Sequence, residues 1–140
     1  KILYCDLVEN PRVQEDFGAV RVTLDEVLNQ ADFVTLHLPL TQDTEGLFDY
    51  ATISKMKPTA YLINIARGAI IREADLLRAL EEKKIGGAAI DVFDTEPQET
   101  SPLRPFSNVI LTPHVGTFTQ EIFIQMDIVA AENIIRYFDK

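Results

Sequence analysis

The sequence is poor in cysteine and in positive charge. Cys5 is the one cysteine in 140 residues, so no internal disulfide can form and we expect a reducing compartment, the cytoplasm. We interpret Cys5 as a core thiol because it lies in the apolar run 2–5. Lys and Arg number 13 against 22 Asp and Glu. This excess of acid argues against nucleic acid or an anionic membrane as a partner, because binding to phosphates depends on clustered basic side chains.

Long apolar runs are also missing. No stretch approaches the roughly 20 residues of a membrane span, and the first residues lack a signal-peptide pattern. With 46% hydrophobic and 25% charged residues, the composition is typical of a globular chain, and the length suits one domain. Strand-like residues follow Lys1 at once, without an initiator methionine, so we expect the chain to be part of a longer protein.

What the sequence does contain is a regular alternation of strand and helix patterns. Short β-prone runs bounded by turn residues predict strands, and apolar residues at helical spacing predict helices. Such alternation predicts right-handed crossovers and a parallel α/β sheet. The predicted strands are 2–5, 19–22, 33–38, 60–65, 88–93 and 109–111, and the predicted helices are 11–17, 23–30, 52–57, 73–84 and one that reaches about residue 138 from a cap at Thr117 or Thr119.

Two of the predicted helices carry clear end signals. Thr23 and Glu26 have the spacing of a capping box, in which each side chain hydrogen-bonds the backbone of the other residue. The helix at 73–84 gathers acids early and ends on Lys83 and Lys84, which matches the helix dipole. We expect Gly86 and Gly87 to terminate it.

Three predicted strands are followed by a polar residue that could do chemistry. Arg67 follows strand 60–65, Glu96 follows strand 88–93, and His114 follows strand 109–111, which Pro113 must end because it cannot donate to a ladder. We expect Gly116 to let the backbone turn tightly behind the histidine. The carboxyl ends of parallel strands open at one edge, where ligands of such sheets bind, so the three side chains could converge.

Each side chain suits a defined role. The guanidinium of Arg67 matches a carboxylate with two parallel hydrogen bonds. Glu96 would stabilise a protonated His114 and fix its tautomer, and His114 could then exchange a proton with a carbonyl or hydroxyl oxygen, worth about 10² to 10⁴-fold in rate. Each also has a structural alternative: a surface or ion-paired arginine, a solvated glutamate and a packed or surface histidine.

Several ordered motifs carry a family resemblance. The segments N-I-A-R-G at 64–68, A-I-D-V-F-D-T-E-P at 89–97 and L-T-P-H-V-G at 111–116 resemble the signature segments of the D-isomer-specific 2-hydroxyacid dehydrogenases. The runs L-H-L-P-L-T-Q-D-T at 36–44 and K-M-K-P at 55–58 are similar to that family as well. The similarity extends along essentially the whole chain.

The resemblance implies a hydride transfer between a 2-oxo acid and a D-2-hydroxy acid, with NAD as the carrier. It implies that Arg67 holds the substrate carboxylate and polarises the carbonyl, that His114 is the acid/base and that Glu96 is its partner. Glyoxylate, hydroxypyruvate or pyruvate would be reduced, and the intact protein would be a homodimer. No metal site is predicted.

The resemblance also implies a set of cofactor contacts. Asp6 would accept hydrogen bonds from the adenosine ribose and repel a 2′-phosphate, which favours NAD over NADP. Asp91 would meet the nicotinamide carboxamide. His37 lies beside this surface, and we interpret it as a structural residue. The remaining predicted cofactor residues are Leu38, Pro39 and Thr44 on the adenosine side, Ile65 and Ala66 on the nicotinamide side, and Arg67, His114 and Gly116.

The sequence departs from the family in one respect. None of its six glycines forms the G-x-G-x-x-G loop that cradles the pyrophosphate. We therefore predict a Rossmann-like parallel sheet with flanking helices that lacks its first β-α unit, with no substrate domain within residues 1–140. The strands at 2–5 and 33–38 would then face each other unpaired, unless the two edges meet in a rearranged or swapped sheet.

Two other functions stay open at this stage. The chain could be an NAD-sensing interaction module like the transcriptional corepressors that share these motifs, or an inactive fragment with a structural role. Arg67, Glu96 and His114 do not discriminate, because the corepressor relatives keep them. The identity of the hydroxy acid is not determined either, because side-chain selectivity comes largely from the absent domain.

Overall fold

A computed structural model describes residues 1–96 and 100–139. In chain order the elements alternate between strand and helix, as the sequence pattern predicts. They are β1 (Leu3–Tyr4), α1 (Pro11–Phe17), β2 (Val20–Arg21), α2 (Leu24–Gln30), β3 (Phe33–Leu36), α3 (Tyr50–Ile53), β4 (Tyr61–Asn64), a 3₁₀ turn (Gly68–Ile70), α4 (Glu73–Glu81), β5 (Gly87–Ile90), β6 (Val109–Leu111) and α5 (Gln120–Phe138).

The strands form two parallel sheets. β1 pairs with β2, and a second sheet has the order β3-β4-β5-β6. Among the described residues β1 and β3 belong to different sheets, so the prediction that these two strands leave inner edges unpaired is confirmed. Because every pair in the larger sheet is parallel, its strands all end at one edge.

The larger sheet buries one face. Val34, Leu36, Leu62, Ala88 and Ile90 point into a core that also contains apolar residues of α2, α3 and α4. The alternate residues Phe33, Tyr61 and Ile110 are exposed, and the rings of Phe33 and Tyr61 stack with centroids 5.9 Å apart. This alternation with a period of two residues determines which side chains face the core and which face outward along each strand.

The two helix-end predictions have different outcomes. The capping box of Thr23 and Glu26 is present. The end of α4 was predicted wrongly, because the helix closes at Glu82 and Lys83, whose φ is +55°, ahead of the two glycines. Gly86 and Gly87 serve close packing instead: a Cβ at Gly87 would lie 2.2 Å from the carbonyl oxygen of Asn108.

Several element boundaries also differ from the prediction. α3 begins at Tyr50, two residues before the predicted start. The carboxylate of Asp49 accepts the N–H of Thr52 and so caps the helix there. The predicted strands at 33–38 and 88–93 are shorter in the structure and end at Leu36 and Ile90. The predicted loop 94–105 includes residues 97–99, which lie outside the described residues.

One residue that we expected to be buried is exposed, and the final helix is exposed along its length. Cys5 is exposed rather than a core thiol, because β1 belongs to the small two-stranded sheet. α5 has no buried residue, although its apolar side chains repeat at helical spacing. Ile124, for example, is 59% exposed. No helix within the described ranges is long and apolar enough to cross a bilayer.

Candidate active site at the carboxyl edge of the sheet

Arg67 lies just past the end of β4, on a turn organised by Asn64. The Asn64 side chain is only 1% exposed and uses both ends of its amide. Its Nδ2 donates to the carbonyl oxygen of Arg67 at 2.9 Å, and its Oδ1 accepts the N–H of Ala66 at 3.0 Å. The arginine side chain itself is exposed, and its Nη1 donates to the carbonyl oxygen of Ala66. A buried amide therefore holds the backbone from which the guanidinium projects.

Gly68 lets the arginine turn approach the segment that follows β5. A Cβ at Gly68 would lie 2.1 Å from the carbonyl carbon of Phe93 and 2.4 Å from the backbone nitrogen of Asp94. Any side chain here would push the two segments apart. The glycine beside Arg67 thus brings its turn against the loop that carries Glu96.

Glu96 and His114 are in direct contact. Oε2 of Glu96 lies 2.8 Å from Nδ1 of His114, and Oε1 accepts the backbone N–H of Phe93 at 2.9 Å. The histidine side chain is 49% exposed and the glutamate 36%, so the pair lies at the surface of the sheet edge. Because Nδ1 is engaged, Nε2 is the ring nitrogen that can meet a substrate.

The environment of Glu96 keeps its carboxylate ionised. The hydrogen bond from His114 and then the N–H of Phe93 lower the pKa of Glu96 below its ordinary value. An ionised carboxylate accepts a hydrogen bond from Nδ1–H and can stabilise a positive charge on the ring. The pair can therefore supply a proton at Nε2.

The loop that carries His114 is anchored by Asp91, which ends β5. Oδ1 of Asp91 accepts the hydroxyl of Thr112 at 2.5 Å and the N–H of Val115 at 3.0 Å, and Oδ2 accepts the N–H of Gly116 at 3.2 Å. Burial raises the pKa of Asp91, but the hydroxyl and the two N–H groups outweigh it, so the pKa lies below its ordinary value. A buried, ionised carboxylate is thus satisfied by the histidine loop.

The tight turn at this loop is made by the histidine itself. His114 has φ +55°, a left-handed conformation that we expected of Gly116, which is not among the glycines with positive φ. Gly116 instead lies close to Asp91, where a Cβ would be 3.4 Å from Oδ2.

Half of the predicted cofactor residues line one groove. The groove lies at the carboxyl ends of β3 and β4 and has a volume of about 470 Å³. Thr44 lies outside its lining but shapes it, because its hydroxyl donates to the carbonyl oxygen of Pro39 at 2.7 Å. The residues that line the groove are His37, Leu38, Pro39, Leu40, Ile65, Ala66 and Arg67.

Two further predicted residues have local hydrogen bonds. Asp6 is exposed after β1, where its Oδ1 accepts the N–H of Val8, and Arg21 donates to its carbonyl oxygen at 2.8 Å. Nε2 of His37 lies 3.0 Å from the hydroxyl oxygen of Thr35, as expected of a structural histidine. In the described ranges, the guanidinium of Arg67 makes no hydrogen bond to Glu96 or His114.

Asn64 and Thr112 are two residues that the sequence reasoning missed. Both stand inside quoted motifs, at the point where a buried strand gives way to polar sequence. A short polar side chain at a strand end, followed within a few residues by a candidate catalytic group, is the signal that could have found them.

Comparison with known proteins points in one direction. Residues 1–116 match the family model described as "D-isomer specific 2-hydroxyacid dehydrogenase, NAD binding domain". A D-3-phosphoglycerate dehydrogenase of Synechocystis is 46% identical over 134 residues, which is 96% of this chain and 24% of that protein.

Solved structures share the fold. A glyoxylate reductase from Paecilomyes thermophila superposes with a TM-score of 0.92 at 33% identity, covering 100% of this chain and 42% of that one. A D-lactate dehydrogenase from Lactobacillus jensenii, crystallised with NAD⁺, has a TM-score of 0.88 at 30% identity, covering 96% of this chain and 44% of that one. The chain thus spans less than half the length of the proteins it matches.

Proposed function

Because the chain belongs to the D-isomer specific 2-hydroxyacid dehydrogenases, as part of their NAD-binding domain, we propose that it carries the catalytic edge of an oxidoreductase. The reaction is hydride transfer between NAD and the C2 atom of a D-2-hydroxy or 2-oxo acid. The contact between Glu96 and His114 at the sheet edge carries this proposal.

His114 is the acid/base in this proposal. In the reducing direction Nε2–H of the imidazolium gives its proton to the carbonyl oxygen while C2 gains the hydride, and the imidazole is left neutral. In the oxidising direction Nε2 takes the hydroxyl proton as C2 loses the hydride. Glu96 stays ionised throughout and holds the ring by Nδ1.

Arg67 holds the carboxylate of the acid. Its guanidinium is exposed at the groove, and its turn touches the Glu96 loop through Gly68. Two parallel hydrogen bonds would fix the acid, and the positive charge would stabilise the oxygen on which negative charge develops. The arginine therefore contributes to both binding and rate.

The groove fits a nicotinamide cofactor, whose chemistry is to supply or accept the hydride. Leu38, Pro39, Ile65 and Ala66 offer an apolar wall, and Ala66 is only 9% exposed. Oδ2 of Asp91 accepts the N–H of Gly116 and, as a carboxylate oxygen, has a second lone pair that can accept a hydrogen bond from a carboxamide. Asp6 favours NAD over NADP, because its carboxylate would repel a 2′-phosphate.

We further propose that residues 1–140 form a partial dinucleotide-binding domain, and that the substrate domain is built from residues outside them. The shares of 42% and 44% of the two solved chains support this division. Side-chain selectivity would then be decided outside the chain. We propose that the intact enzyme is a homodimer in the cytoplasm.

The alternatives are less well supported. The relatives reported above carry the names of enzymes, which does not favour a corepressor-like interaction module. An inactive fragment would need neither the ion-paired histidine nor the exposed arginine.

The decisive experiment uses the complete protein that carries this chain. NADH oxidation is measured with glyoxylate, hydroxypyruvate, pyruvate and phosphohydroxypyruvate as separate substrates. We expect turnover with at least one of them, and a loss of turnover in His114→Gln. If no acid is reduced, the enzyme function is wrong.

A further inference from the structure

His114 holds a backbone conformation that needs support. Only two described non-glycine residues have positive φ, Lys83 and His114. A left-handed conformation costs free energy for a residue with a Cβ, so it persists only where surrounding contacts impose it. His114 is itself exposed, so packing around its side chain does not impose it.

Three hydrogen bonds that flank His114 go to one carboxylate. Asp91 accepts the hydroxyl of Thr112, two residues before the histidine, and the N–H groups of Val115 and Gly116, the two residues after it. Asp91 is 7% exposed and directly follows β5, so it is a rigid point of attachment. One buried side chain is thus hydrogen-bonded to the histidine loop on both sides of His114.

Thr112 makes the only side-chain contact among these three donors, and it comes from the β6 end of the loop. Its hydroxyl donates to the same Oδ1 that accepts the N–H of Val115. Without the hydroxyl, Asp91 would hold the loop only from the far side of His114. The direction in which the imidazole leaves the loop, toward Glu96, would then be less well defined.

We propose that Thr112 is a positioning residue that acts through Asp91 to hold the imidazole of His114 on Glu96. This role rests on the proposed function of His114 as the acid/base. Thr112 does not touch substrate in this proposal. Its effect is therefore expected in the chemical step and not in cofactor affinity.

The first test compares Thr112→Val with Thr112→Ser in the complete enzyme. Valine keeps the shape and removes the hydroxyl, whereas serine keeps the hydroxyl. We expect valine to lower kcat about tenfold or more, with the KM for NADH changed less than about twofold, and serine to restore most of kcat. Thr117→Val, at an exposed threonine of the same loop, should leave both constants unchanged. Equal kcat in wild type and Thr112→Val would overturn the proposal.

The second test needs no turnover. In protein labelled with ¹⁵N-histidine, the Nδ1–H signal of His114 is assigned by its loss in His114→Gln. We expect this signal to shift or broaden in Thr112→Val and to return in Thr112→Ser. An unchanged signal in the valine variant would refute the positioning role, even if the enzyme reduces none of the acids tested.

A third variant covers the case in which Thr112→Val fails to fold. Asp91→Asn keeps the size of the side chain but replaces one acceptor oxygen by an NH₂ group that cannot accept an N–H. Because Asp91 also meets the carboxamide in the proposed function, the informative measurement for this variant is the His114 signal, which should shift or broaden as in Thr112→Val. An Asp91→Asn enzyme with wild-type kcat and an unchanged signal would also contradict the proposal.

Discussion

Glu96 holds the backbone N–H of Phe93 with one carboxylate oxygen and Nδ1 of His114 with the other, at 2.9 and 2.8 Å. The first bond fixes the glutamate to its own loop, and the second ties that loop to the one after β6. Two separate segments of the chain thus share one carboxylate. The orientation of the histidine depends on both.

The first prediction concerns Glu96→Gln. An amide carries no charge, so it stabilises a positively charged ring less than the carboxylate does. We expect the limb of the NADH-dependent reduction profile that falls as pH rises to move to lower pH. The measurement is kcat/KM against pH in the complete enzyme.

A matched control for this variant is Asp94→Asn, which removes one negative charge from the same loop. Its profile should stay close to that of the wild type. An unmoved profile in Glu96→Gln would remove Glu96 from the mechanism.

The second prediction concerns Arg67. Because two charge-assisted hydrogen bonds and a positive charge are lost together, Arg67→Ala should reduce kcat/KM for the 2-oxo acid by about a hundredfold or more. KM for the acid should rise, and kcat should fall. Lysine keeps the charge but not the planar guanidinium, so Arg67→Lys should recover only part of the lost kcat/KM. Wild-type kinetics in the alanine variant would place the carboxylate site elsewhere.

The third prediction concerns the buried amide of Asn64. In Asn64→Asp a carboxylate replaces the group that donates to the carbonyl of Arg67, and the charge is buried. We expect the free energy of unfolding to fall by about 2 kcal/mol or more, measured by urea denaturation.

Asn108→Asp is the matched control for Asn64→Asp. Asn108 also donates Nδ2 to a backbone carbonyl, that of Gly86 at 2.7 Å, but it is exposed. Water can replace this hydrogen bond, so the free energy of unfolding should fall by less than about 1 kcal/mol. Equal losses in the two variants would show that burial of Asn64 is not what matters.

The fourth prediction concerns acid stability. The contacts of Asp91 lower its pKa in the folded chain, so the stabilisation is complete above the pKa of the unfolded chain and is lost as pH falls through the lower native value. Asp91→Asn should be less stable than the wild type at pH 7 by about 1 to 3 kcal/mol. The difference should shrink below about pH 4. Urea midpoints at a series of pH values test this, and a constant difference would contradict it.

The fifth prediction concerns residues 1–140 on their own. The sequence has no glycine-rich loop to cradle a pyrophosphate, so this polypeptide should bind NAD poorly and turn over no acid. Calorimetry measures the binding directly. Micromolar affinity of the 140-residue chain for NAD would contradict the prediction.

Much of the fold follows from local patterns. The parallel order of strands, the capping box at Thr23 and the long final helix follow from short-range periodicity and capping chemistry. Helix ends were less predictable, because α4 closes on Lys83 through hydrogen bonds that any residue can make. Burial was mispredicted for Cys5, which lies in an apolar run but belongs to the small two-stranded sheet.

By itself, the sequence determined that Arg67, Glu96 and His114 follow successive strands, because apolar runs and turn residues mark the strand ends and parallel strands end at one edge. Only the tertiary structure decided that Glu96 meets Nδ1 of His114, and that Asp91 and Thr112 hold the histidine loop, in which His114 has a left-handed conformation. Periodicity specifies which side chains reach an edge. Hydrogen bonds between residues about 20 positions apart depend on the path of the loops between strands, which no local pattern encodes.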